Sequence, residues 1–189
     1  MRRATYKDRD KAINILCRSF INILIPNSIN FVVKKDGNRE KRLMALMSYQ
    51  FDIAMMYGNV FLSDDEKACI LYLDKMKFSL KRILLEIRLV ISCIGIENVP
   101  RVLKREKLLK AYHPEQKFIH LWLMGALPEE QGKGIGSKLL QESMATYSGE
   151  LIYLETTTPE NLKFYKKNGF IIFHETHELD YPLYFLKHV

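Results

Sequence analysis

The chain has 189 residues, 48% of them hydrophobic and 27% charged, with a net charge of +7: the composition of one globular domain that can bury its own core. The opening "MRRATYKDRDKA" has no apolar centre, so no secretory signal is expected. The most apolar stretch, "ILLEIRLVISCIGI", is broken by Glu86 and Arg88, so no membrane partner is expected either. Three cysteines, Cys17, Cys69 and Cys93, sit in apolar sequence and are odd in number, which points to reduced thiols, a cytoplasmic compartment and no zinc site.

The first helical pattern places Ile13, Leu16, Cys17 and Phe20 on one stripe, with Asp8 as N-cap, and ends at Pro26 and Asn27. A second runs from about Arg39 to Tyr57 with Leu43, Leu46, Met47 and Ala54 on one side and Gly58 as its stop. "NVFLSDDEKACILYLD" reads as a hairpin turning around Asp64, Asp65 and Glu66. From Lys75 to about His113 two or three helices are expected, punctuated by Gly95, Asn98 and Pro100. Lys75 to Lys117 holds 11 Lys and Arg against 4 Asp and Glu, so the whole net charge falls there. Few aromatics interleave with these charges, so they read as solvated helix faces and no nucleic-acid partner is expected.

"KFIHLWLMGAL" follows as a strand, then a glycine-rich turn. "SKLLQESMATYS" is a helix with Leu139, Leu140 and Met144 inward, "LIYLET" a buried strand, and "PENLKFYKKNGF" a short helix stopped by Gly169. "FIIFHE" and "PLYFLKHV" are terminal strands. No repeat or linker divides the chain, so residues 1–189 read as a single domain of α/β (α+β) class with a mixed sheet. His174 and His177 are spaced i, i+3, which is not a metal-binding helix pattern, and they read as surface strand residues with no metal.

Gly132, Gly134 and Gly136 lie between a strand and a helix, where glycine lets backbone N–H groups approach a phosphate. The dinucleotide fingerprint fails because Ser137 stands three after Gly134. The P-loop fails because Ser137 and Leu139 occupy its glycine and hydroxyl positions. What does match is Gln131-Gly-Lys-Gly134-Ile-Gly136, which resembles the Q/R-x-x-G-x-G/A pyrophosphate signature of the GNAT superfamily of acetyl-coenzyme A-dependent N-acetyltransferases. "RRATYKDRDKA" resembles that family's opening strand and first helix. "LETTTPENLKFYKKNGF" resembles its fifth strand and the following helix, ending in Tyr-x-x-x-Gly-Phe from Tyr165 to Phe170. Together with "GALPEEQGKGIG", it looks most like the branch that includes puromycin N-acetyltransferase.

The resemblance implies a central mixed, mostly antiparallel sheet flanked by helices, with residues 75–117 as a helical insertion between the third and fourth strands, on the acceptor side. It implies backbone contacts to the pantetheine arm from Met124, Gly125 and Ala126. The pyrophosphate would be held by Gln131, Gly132, Lys133, Gly134, Ile135, Gly136 and Ser137, with Lys133 and Lys138 adding charge outside. Asn161 or Thr158 is left to touch coenzyme or to cap the helix. Tyr165 is implied as the general acid near the coenzyme sulfur; His120 and Glu155 are rival general bases; the three cysteines read as structural. The implied activity is direct transfer of an acetyl group from acetyl-CoA to a primary amine of a small molecule, without a covalent enzyme intermediate, by a monomer or homodimer. A protein or peptide N-acetyltransferase and a non-catalytic coenzyme A-binding regulator are the alternatives.

Overall fold

The computed structural model describes residues 1–189. Its strands are β1 (Arg2–Arg3), β2 (Gly58–Leu62), β3 (Ala68–Leu73), β4 (Phe118–Ala126), β5 (Leu151–Thr156), β6 (Ile171–Thr176) and β7 (Leu183–His188). They form one seven-stranded sheet in the order β1-β2-β3-β4-β5-β7-β6. Only β4 and β5 pair parallel. This is the expected mixed, mostly antiparallel sheet.

Helices cover both faces. On one lie α1 (Arg9–Phe20) and α3 (Arg39–Tyr57); on the other lie α6 (Ile135–Met144) and α7 (Pro159–Lys167). All of β3 is buried because the sheet is sandwiched there: Cys69, Leu71 and Leu73 pack toward α1 and α3, while Ala68, Ile70 and Tyr72 pack toward α6. That double burial explains why "ACILYL" is an unbroken apolar run. Leu43, Met47 and Phe51 of α3 are completely buried, each contributing about 1.5–3 kcal/mol of apolar transfer.

Several local expectations are refined. Asp8 precedes α1, but its carboxylate accepts from Thr5 N (2.8 Å) and Arg2 Nη1 (3.0 Å), so it secures the entering turn and leaves the α1 amides uncapped. Gly58 does end α3, yet its φ of −168° is ordinary extended backbone; a Cβ there would collide with the backbone of Tyr72 across the hairpin. A short helix unforeseen in the sequence, α2 (Ser28–Val32), starts where Asn27 Oδ1 accepts Asn30 N at 2.8 Å.

The insertion folds as α4 (Leu80–Leu89), a π-helical turn at Val90–Ile94, a 3₁₀ turn at Ile96–Asn98 and α5 (Val99–Ala111). Leu85 and Leu89 pack on the α3 cluster, whereas Leu80, Leu84, Ile87 and Ile91 point outward. The exposed side of α4 thus carries an apolar stripe beside its solvated charges, Lys81 and Arg88, which the expectation of solvated charged faces did not include.

All three cysteines are free thiols. Burial pushes Cys17 up to about 11 and Cys93 up to about 12, and raises Cys69 as well. Burial thus keeps all three protonated at neutral pH.

Candidate functional site

The sheet opens at β4 and β5. They pair only from Phe118 to His120 and from Leu151 to Tyr153; beyond those rungs β4 continues to Ala126 and β5 to Thr156 without pairing each other. β4 also carries a bulge: Tyr72 pairs with Leu121 but the next residue back, Leu71, pairs with Leu123, so Trp122 has no partner. Leu121 therefore faces α6 and Leu123 faces α1 and α3, although an unbroken strand would put both on one side. Trp122 packs edge-on against Tyr49, with ring centroids 6.1 Å apart.

At the last paired rung His120 and Tyr153 are cross-strand neighbours, and Glu155, two residues on, points to the same face. His120 Nε2 lies 2.7 Å from Glu155 Oε2, and the Tyr153 hydroxyl donates to Glu155 Oε1 at 2.8 Å. Burial pushes the Glu155 carboxyl up, but the His120 ring, the Tyr153 hydroxyl and the Arg105 guanidinium outweigh it and hold the group below the usual glutamate range. An ionised Glu155 has no proton to give, so in that hydrogen bond His120 Nε2 is the donor and the carboxylate the acceptor. The two residues that the sequence set as rivals form one hydrogen-bonded pair.

The glycine turn joins the open end of β4 to α6. Gly132 and Gly134 have φ of +78° and +85°, and a Cβ on either would meet nothing within 4 Å. The turn therefore needs glycine for its left-handed backbone and leaves open space above it. The first backbone bond of α6 runs from Lys138 N to Gly134 O at 3.0 Å, so the amides of Ile135, Gly136 and Ser137 have no intrahelical acceptor. Gln131 Nε2 folds back to donate to Ala126 O at 3.1 Å. The lysines are less free than expected: Lys133 pairs with Glu130 at 3.1 Å, and Lys138 with Asp64 at 3.5 Å and Glu142 at 3.7 Å.

Met124 packs with the α6 side of the core and its Cε would stand 3.3 Å from a Cβ on Gly136. Gly125 answers to α1 instead: a Cβ there would lie 2.5 Å from Ser19 Oγ, whose hydroxyl stands 2.8 Å from Ala126 O. Tyr165 lies in α7, buried with Ile119, Leu121, Ile152 and Leu154, on the sheet face opposite His120 and Glu155. Burial raises its hydroxyl, so it stays protonated at neutral pH. Thr158 Oγ1 accepts Asn161 N at 3.3 Å and caps α7, while the Asn161 side chain is exposed. His177 is exposed beside Glu175, but His174 is half-buried and stacks on Tyr112 with centroids 3.8 Å apart. No group of three His, Cys, Asp or Glu side chains is arranged to hold a metal.

Three site residues escaped the sequence reading. Tyr153 looked like core filler in a buried strand. His113 packs edge-on against Tyr153 at 5.2 Å and lies 6.3 Å from the His120 ring, and burial lowers its proton affinity. Arg105 of α5 donates to the Tyr181 hydroxyl (3.0 Å) and to Glu106 (2.5 Å), and it contributes to holding Glu155 ionised. In sequence it is one of a run of charges between Lys104 and Lys107, and nothing local sets it apart from the solvated ones. Next to Tyr181 a cavity of about 550 Å³ opens, walled by Asn30, Phe31, Lys35, Arg39 and Arg101. Arg39 donates to three backbone carbonyls and to Asn30 Oδ1, and it has no acidic partner.

Residues 92–172 match the family model described as an acetyltransferase (GNAT) domain, a span that takes in β4, the glycine turn, α6, β5 and α7. Among solved structures, the fold is shared with a histone acetyltransferase HPA2 and related acetyltransferase from Corynebacterium glutamicum ATCC 13032, at TM-score 0.75 and 22% identity over 98% of this chain and 93% of that one. It is shared with an N-acetyltransferase from Staphylococcus aureus Mu50, at TM-score 0.57 and 15% identity over 98% of both chains. It also extends to the C-terminal condensation domain of Ebony in complex with beta-alanyl-dopamine, at TM-score 0.61 and 12% identity over 100% of this chain and 97% of that one. The domain match and the shared fold support an acyltransferase enzyme.

Proposed function

We propose that this chain is an N-acetyltransferase that takes the acetyl group of acetyl-CoA to a primary amine of a small molecule by direct attack. The observation that carries the reading is the fork between β4 and β5, with the His120–Glu155 pair at its closed end and the glycine turn at its open end. Such a fork leaves strand-edge backbone groups at Met124 and Gly125 for an extended pantetheine arm, while Ala126 O is already taken by Gln131 Nε2 and Ser19 Oγ, and the unpartnered amides of Ile135, Gly136 and Ser137 suit a pyrophosphate. The open space over Gly132 and Gly134 fits the same group. When bound, acetyl-CoA supplies the electrophilic thioester carbonyl.

The chain's own residues then manage protons. Glu155 stays ionised and orients His120 through Nε2, so Nδ1 takes the proton that the amine sheds. Tyr153 holds the second carboxylate oxygen and so fixes the pair. Tyr165, protonated and buried, is the donor for the departing thiolate. The acceptor side is assigned to the cavity beside Tyr181, because Arg105 donates to the Tyr181 hydroxyl and helps hold Glu155 ionised. The uncompensated charge of Arg39 and the adjacent Lys35 favour an amine that also bears an acidic group over a polyamine.

The test is thiol release from acetyl-CoA with the full chain across amino acids, amine antibiotics, polyamines and short peptides. Release with a small acid-bearing amine is expected. Coenzyme binding without release for any amine would leave a regulator, and absence of coenzyme binding would remove the reading altogether.

A further inference from the structure

Eight of the fifteen exposed large apolar side chains fall between Met76 and Leu103. The same insertion carries the whole net charge of the protein. On α4 and the turn that follows it, Leu80, Leu84, Ile87 and Ile91 are between 52% and 74% exposed, and their spacing lines them along one side of the helix. Phe78, 79% exposed, extends the stripe at its start. Lys77, Lys81 and Arg88 are the cations of the same stretch, and none makes an ion pair; Glu86 is neutralised by Arg82 at 3.1 Å.

We infer that this face of α4 docks on a phospholipid surface that carries anionic headgroups. A large exposed apolar patch on a folded protein needs an occupant, and three features select this one. The first is charge: in a two-fold contact between identical copies each basic insertion meets its own like, whereas an anionic surface complements it. The second is shape, because a single helix presents a convex ridge of aliphatic side chains. That suits a fluid interface, into which such a ridge sinks, better than it suits a peptide, which needs a groove. The third is composition: the stripe is Leu, Ile and Phe, without the Trp, Tyr and Arg anchors that dominate protein–protein contacts. Lys77, Lys81 and Arg88 would reach the headgroups by their long stems while the stripe lies among the upper acyl chains. No helix is long and apolar enough to cross a membrane; the proposed contact is with its surface. Because Arg105 and His113 follow on the same insertion, docking would hold the acceptor side of the fork at the interface.

The experiment is co-sedimentation of the full chain with vesicles of phosphatidylcholine alone and of phosphatidylcholine with about 30% phosphatidylserine. Binding to the mixed vesicles, weakened by salt, is expected. Leu84→Glu combined with Ile87→Glu should abolish it while leaving the circular dichroism melt unchanged, since both side chains are exposed. Lys77→Gln, Lys81→Gln and Arg88→Gln together should weaken it by about a hundredfold, from roughly fivefold per cation. Equal binding of the double-glutamate variant, or no binding to phosphatidylserine vesicles at low salt, overturns the inference. A dimer in analytical ultracentrifugation that the double-glutamate variant splits, without vesicle binding, overturns it in favour of a second copy. Salt-sensitive capture of an acidic protein with no vesicle binding overturns it in favour of that partner.

Discussion

Glu155 spends both carboxylate oxygens on β4 and β5 neighbours: Oε2 lies 2.7 Å from His120 Nε2 and Oε1 accepts the Tyr153 hydroxyl at 2.8 Å. A carboxylate so engaged is poorly placed to take a proton from substrate itself, and the proposed mechanism gives that task to His120. Glu155→Gln should therefore lower turnover without abolishing it, by about ten- to a hundredfold. It should also change the pH–rate profile of acetyl transfer, and an unchanged profile would show that the pair does not act as a base. Tyr153→Phe, which frees Oε1 and keeps the ring, should give a smaller loss of turnover in the same assay.

Tyr165→Phe isolates the proposed acid. The Tyr165 hydroxyl makes no hydrogen bond within the chain, and its ring packs edge-on against Phe164 and Phe170 at 5.1 and 5.5 Å. The ring contacts survive the change, so the stability cost should stay at about 1 kcal/mol or less, the net worth of one hydrogen bond to water or ligand. Turnover should fall at least about tenfold, within the range for a lost general acid. Wild-type turnover in a folded Tyr165→Phe protein would take this residue out of the mechanism.

Glycines of one motif region separate into structural and binding roles. Gly125→Ala would press a methyl to 2.5 Å from Ser19 Oγ and 2.9 Å from Ser19 Cβ, where α1 crosses β4. The expected cost is about 1–3 kcal/mol of overpacking, read as a lower melting temperature. Gly134→Val meets no atom within 4 Å but forces a branched residue to φ of +85° and fills the space above the turn. It should strain the fold by about 1–2 kcal/mol and raise the KM for acetyl-CoA well beyond what the melt explains. Equal KM values for the wild type and Gly134→Val would argue against a phosphate cradle.

The contrast between those glycines shows what the sequence made legible. The order of elements could be read because apolar period and glycine punctuation are local: α3 spans Arg39–Tyr57 as its pattern predicts, and the hairpin turns where Asp64 and Asp65 stand. The pairing of His120 with Glu155 depends on a parallel register between strands separated by a whole helix, and nothing local encodes it. Arg105 was hidden for a similar reason. Its neighbours Lys104 and Lys107 are exposed, so a charge count sees one solvated run, whereas the helix rotates Arg105 inward onto Tyr181 and toward Glu155. The outward stripe of α4 was equally hidden, since amphipathic spacing states that a face is apolar and not which side of the protein it meets.

The cysteines supply a negative control for the mechanism. With Cys93 raised to about 12 and Cys17 to about 11 by burial, their thiolate fractions at neutral pH are negligible. The full chain should accordingly resist iodoacetamide at pH 7 and keep its activity, and Cys17→Ala should release thiol from acetyl-CoA at the wild-type rate. Rapid inactivation by alkylation, protected by coenzyme, would instead point to a covalent route.

Acid should reveal Glu155 in stability as well as in rate. Its folded-state proton affinity is depressed relative to the ordinary value of 4.5, so the folded state binds fewer protons than the unfolded chain in the window below that value. Its contribution is therefore fully present above about pH 4.5 and is lost as pH falls through the depressed folded value. Denaturation midpoints in urea should decline below this point, and Glu155→Gln should decline less steeply there than the wild type. At pH 7 the same variant should be less stable, because the buried amide leaves Tyr153 and His120 with a weaker, uncharged acceptor. The two urea series should thus converge on acidification; parallel curves from pH 7 to pH 3 would mean that Glu155 is not held ionised by its partners.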